Sequence, residues 1–128
     1  MSTRKLLHTF CGVVLLGVLA TSSAHAVFDG KRRTYFTFSQ PVALPGVSLA
    51  AGTYLFEVPD PDHAWDVVRI SSRDQSRVYL TAFTLRVERP TDRKLEAKIV
   101  LGEASGTNPP RVQAWYPEGE HVGRQFLY

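Results

Sequence analysis

The chain lacks the means to cross-link itself. Its one cysteine, Cys11, lies in an uncharged run near the N-terminus. A single thiol excludes an intramolecular disulfide, and it excludes a zinc site built on paired cysteines. No apolar run reaches the ~20 residues of a spanning helix. No glycine-rich phosphate loop or His-Glu-x-x-His motif occurs, so the usual sequence marks of nucleotide binding and zinc proteolysis are missing. The formal charge is only +3 over 128 residues, with 15 basic and 12 acidic side chains. That is too weak a field to argue for nucleic acid or an anionic membrane surface.

The N-terminus holds an address. Arg4 and Lys5 precede the uncharged run at 10–20; Thr21, Ser22 and Ser23 follow, then Ala24-His25-Ala26. This is the layout of a secretory signal peptide, with cleavage expected after Ala26. Residues His8, Thr9 and Phe10 lack the small side chains that precede a lipidated cysteine, so a lipoprotein is disfavoured. Cleavage leaves residues 27–128 as one domain of 102 residues without a thiol. Arg4 and Lys5 leave with the leader, so 13 basic residues then face 12 acidic ones and the formal charge falls to +1. The expected location is the periplasm or the exterior, with no membrane span in the mature form. Lys31, Arg32 and Arg33 are read as a solvated lead-in to the first strand.

From Arg33 onward the apolar residues recur at every second position, and β-branched and aromatic types dominate. Runs are expected at 33–38, 47–49, 53–58, 65–70, 77–87, 95–101, 112–116 and 124–128, divided by turns such as Pro45-Gly46 and Pro117-Glu118-Gly119. In the long run at 77–87 the apolar phase shifts from Val78, Leu80 and Ala82 to Phe83, Leu85 and Val87. Such a shift predicts a bulge, or a strand that serves two sheets. Seven to eight short strands without a helix predict an all-β fold. The preferred form is an antiparallel β-sandwich of immunoglobulin-like or Greek-key type, with a small β-barrel as the alternative.

The segment Phe36-Thr37-Phe38-Ser39-Gln40-Pro41-Val42, with Leu44-Pro45-Gly46 and Leu49-Ala50-Ala51-Gly52-Thr53-Tyr54, resembles uncharacterised secreted β-sandwich proteins of environmental, acidobacteria-like bacteria. Trp115-Tyr116-Pro117 through Gly123, Phe126 and Tyr128 resembles the close of the same group. In that group Pro stands where this chain has Ala50. The resemblance implies the fold and an exported location, and it implies no activity.

Three sets of residues carry candidate chemistry. Asp60, Asp62, His63 and Asp66 gather carboxylates and an imidazole of the kind that binds cations. Asp and Pro are equally what a hairpin turn needs, and the turn is preferred. Glu118, Glu120 and His121 repeat the theme, so a metal site shared by His63 and His121 is a hypothesis; equimolar zinc that leaves the melting temperature unchanged would end it. Trp65, Trp115 and Tyr116 are candidate ligand-binding aromatics, weighed against the reading that they fill the core.

No catalytic set emerges and no cofactor is implied. Gly46-Val47-Ser48-Leu49-Ala50 lacks the helix that a nucleophile elbow requires. The leading expectation is an exported, non-catalytic protein that binds or supports a partner at the cell envelope. A carbohydrate-binding module and a small metal-dependent hydrolase using His63 or His121 are the rivals. The apolar ending Gln125-Phe126-Leu127-Tyr128 is read as a strand paired inside its own sheet, with self-association through that strand as the alternative.

Overall fold

The computed structural model describes residues 26–27, 33–90 and 94–128, the first two by backbone alone. The expected signal peptide up to residue 25, Lys31, Arg32 and the turn residues Thr91 and Asp92 lie outside the described residues. Among the described residues there are ten strands and no helix: β1 (Ala26–Val27), β2 (Arg33–Phe38), β3 (Val42–Leu44), β4 (Val47–Leu49), β5 (Gly52–Glu57), β6 (Val67–Ser72), β7 (Val78–Glu88), β8 (Lys98–Leu101), β9 (Val112–Tyr116) and β10 (Val122–Phe126). No helix there is long and apolar enough to cross a membrane.

The strands form one antiparallel sheet in the order β1-β2-β5-β6-β7-β10-β9-β8, with β3 and β4 as a separate hairpin. β1 is a two-residue edge, paired as Ala26 with Thr34 and Val27 with Arg33. The expected cleavage point falls between those two residues, so processing would trim this edge and leave a seven-stranded sheet.

Alternation sets the core. Thr34, Phe36 and Phe38 of β2 point inward opposite Phe56, Tyr54 and Gly52 of β5. The Phe36 and Phe56 rings meet edge to face at 5.4 Å, an arrangement worth about 1 kcal/mol beyond the area it buries.

β7 turns the sheet on itself. Its residues 78–83 pair with β6 and its residues 84–88 with β10. Ser71 lies opposite Val78 and Ile70 opposite Leu80, which leaves Tyr79 as an extra residue. This bulge bends the strand and raises its twist, and it turns both Tyr79 and Leu80 against the core. The bend brings β5 and β9, four places apart in the sheet, face to face: the Phe56 and Trp115 rings meet at 5.9 Å. The all-β class is as expected. The strands, however, join in a single curled sheet, a half-barrel that lies between the sandwich and the closed barrel.

The β3–β4 hairpin plugs the gap between the two halves. Pro45 and Gly46, with φ 77° at Gly46, supply the fixed negative and then positive φ of a type II turn. Val42, Leu44 and Leu49 are buried, and the Ala43 N–H donates to Pro110 O at 2.8 Å. Tyr128 fastens the same place, with its hydroxyl 2.9 Å from Ala43 O and 2.7 Å from Val112 O.

β10 lies between β7 and β9. The C-terminal strand is therefore paired within its own sheet, and the free edge on that side of the molecule belongs to β8. The run at 95–101 narrows to Lys98–Leu101 for this reason: its apolar residues line an edge and are only half-buried.

Candidate functional site

The segment from Asp60 to Asp66 folds back over one end of the core. The Asp60 carbonyl accepts the N–H groups of His63 (3.3 Å) and Ala64 (2.8 Å), which closes a compact turn. Thr84 of β7 then donates both its N–H and its hydroxyl to Asp66 O, each at 2.8 Å. One residue earlier, Arg124 of β10 donates its Nε to Trp65 O at 3.3 Å. Trp65 is thus held at its own carbonyl and at the next, and its side chain stays 41% exposed.

Two guanidinium groups lie against that indole. Arg86 and Arg124 are direct partners across β7 and β10, on the face that turns inward further along at Thr84 and Phe126. Their Cζ atoms lie 5.8 and 5.7 Å from the Trp65 ring centroid, within the range where a cation is drawn to the ring's negative face. Like charges directly opposite on neighbouring strands repel. The indole offsets that repulsion, and Glu120 lies 3.5 Å from Arg124. Arg124 is buried, at 4% side-chain exposure. Arg86 is exposed and forms no ion pair among the described residues.

The outer face of β7 carries the second surface feature. Phe83 pairs with Val67 and Leu85 with Gln125, on the side opposite Ala82 and Thr84. Phe83 is 69% exposed, Leu85 52% and Leu127 47%. The pairing runs without a break from Ala82 to Phe83. The apolar phase shift in this strand therefore marks an outward-facing stripe, and the bulge sits earlier, at Tyr79.

The three candidate ligand-binding aromatics separate. Trp115 is fully buried in the core, and Tyr116 is buried at 4% exposure on the outer face. The Tyr116 ring is covered there by Arg89, whose Cζ lies 5.2 Å from its centroid. Arg89 also clamps the following turn, donating Nε to Glu120 O and Nη2 to Pro117 O, both at 2.8 Å. Of the three, Trp65 alone presents substantial surface to solvent.

The candidate metal donors lie in exposed turns. His63 Nδ1 is 3.1 Å from Asp60 Oδ1, with both side chains well exposed. Asp62 and His121 are exposed, and the His121 carbonyl accepts the Arg89 N–H at 2.8 Å. Among the described residues no three His, Cys, Asp or Glu side chains gather as a metal-binding group.

Sequence reasoning passed over Arg86 and Arg124. Arg86 falls in the polar phase of its strand, out of step with Phe83, Leu85 and Val87, and gave no signal; Arg124 did, as a cation in phase with Val122 and Phe126, a place that demands a partner. That the partner is Trp65 depends on the Asp60–Asp66 turn, which no strand period describes. Comparison with family models, with curated proteins and with solved structures gave no match.

Proposed function

We propose that the chain is an exported, non-catalytic protein that acts at the cell envelope by binding a partner through the outer face of its sheet. The observation that carries this reading is the apolar stripe of Phe83 and Leu85, two large side chains more than half exposed on one strand. Large apolar side chains exposed together on one face are a feature of contact surfaces. The signal-peptide pattern read at residues 1–26 supports the location, and so does the resemblance of the turn and core residues to those of secreted β-sandwich proteins.

The test is the double variant Phe83→Ser, Leu85→Ser. Both side chains are outside the core, so its unfolding free energy should stay within about 1 kcal/mol of the parent. It should lose the parent's co-fractionation with envelope material. A folded variant that still co-fractionates like the parent contradicts the reading.

A second reading, a small-ligand or carbohydrate module, is favoured by one observation: Trp65 is held at its backbone and left 41% exposed beside two guanidinium groups. Sugar rings stack their C–H faces on aromatic side chains held in this way.

A further inference from the structure

We infer that the Trp65 rim binds a carboxylate-bearing sugar of the hexuronate type, with the indole stacking on the pyranose ring and Arg86 receiving the carboxylate. The inference rests on the carbohydrate reading of this site and adds the charge of the ligand.

The site is built before any ligand arrives. Trp65 O is fixed by Arg124, Asp66 O is fixed by Thr84, and Arg124 is itself buried. The backbone under the indole therefore spends little conformational entropy when a ring stacks on it. Arg86 lies over the indole, its Cζ 5.8 Å from the centroid, and its side chain is exposed. A carboxylate on the rim of a sugar stacked over that indole comes within reach of the guanidinium. The planar fork of an arginine takes a carboxylate through two parallel N–H···O bonds.

The surrounding charge selects among ligands. Arg124 has Glu120 at 3.5 Å, whereas Arg86 forms no ion pair among the described residues. The platform therefore carries one cation to be matched, which a monoanionic sugar unit does. An uncharged apolar ligand would strip water from Arg86 without replacing its hydrogen bonds, at a cost in free energy. A nucleic acid needs a field of many cations, and the mature chain is close to neutral. Glu88, exposed and next on the same strand face, opposes an anion, so Glu88→Gln should tighten binding.

The experiment is calorimetric titration of the protein, purified after export from cells expressing the full-length chain, with a short oligogalacturonide and with its methyl ester, which has the same rings without the charge. The acid should bind about tenfold or more tightly than the ester. Arg86→Gln should remove that preference by weakening the acid, while Trp65→Ala should weaken both ligands. Both residues are exposed, and circular dichroism checks that the variants fold. Equal binding of acid and ester, unaffected by Arg86→Gln, overturns the acidic ligand and leaves the carbohydrate reading standing. No binding of either ligand overturns both.

Discussion

Gly123 has no side chain because Tyr116 occupies the space a side chain would need. A Cβ at this position would meet the Tyr116 ring, with Cε1 at 2.6 Å, and the Trp115 carbonyl oxygen at 2.9 Å. The ring is pinned from outside by Arg89, and the carbonyl belongs to a paired strand, so neither yields cheaply. Gly123→Ala should cost about 1–3 kcal/mol, in the range of other overpacked sites, read as a lower urea midpoint at unchanged slope. A midpoint equal to the parent's would mean that the ring moves aside freely. Tyr128 acts at the opposite end of the same strand's continuation. Burial pushes its hydroxyl up to about 12, against the opposing effect of the Arg111 guanidinium. The folded state therefore favours the neutral phenol. Its contribution to stability is intact below the ordinary value of 10.0 and is lost as pH rises through about 12. Tyr128→Phe should flatten the fall in melting temperature over that window, and parallel curves for parent and variant would remove Tyr128 as the cause.

At the scale of the element, β10 shows what is local and what is not. It is flanked by β7 and β9, Phe126 is buried in the core, and the Tyr128 hydroxyl ties the following segment to Ala43 and Val112. Removing residues 126–128 should abolish the cooperative transition in far-ultraviolet circular dichroism. Loss of a buried Phe alone costs about 3–5 kcal/mol, against a total stability of about 5–15 kcal/mol. A truncated chain that melts like the parent would contradict this. The last strand was legible in the sequence through Phe126 and its apolar neighbours, although it begins two residues before the expected Arg124, at Val122. β2 and β5 were legible through their alternation, whereas β9 was legible only as a run: a register shift opposite Val100 and Leu101 puts Val112 and Trp115 in the core and breaks the expected period of Val112, Ala114 and Tyr116. β3 was not separated from the segment after β2, since three residues are too few to show a period; its burial at Val42 and Leu44 comes from the hairpin plugging the curl. The outward stripe on β7 was legible as a change of phase but not of direction. Hydrophobicity shows which residues share a face, and only the pairing with β6 and β10 shows that the face of Phe83 and Leu85 points away from the core.

Across the whole molecule, a domain without disulfides is held by one curled sheet whose core runs from Phe36 to Phe126. The long β7 belongs to both halves. It carries Tyr79, which bends it, Arg86, which meets Trp65 at the rim, and Phe83 and Leu85 on the outer face. The candidate site was only partly legible for this reason: Trp65 was recognised as an aromatic with two opposed fates, while Arg86 and Arg124 reach it through strand pairing and a turn far apart in the chain. All of these surface features act on the envelope side of the membrane in the function proposed above, so export is its central claim. The direct test is fractionation of cells producing the full-length chain, with intact mass measured in each fraction. The account predicts a 102-residue species beginning at Val27 in the periplasmic or external fraction. A stable, uncleaved 128-residue chain confined to the cytosol would contradict it.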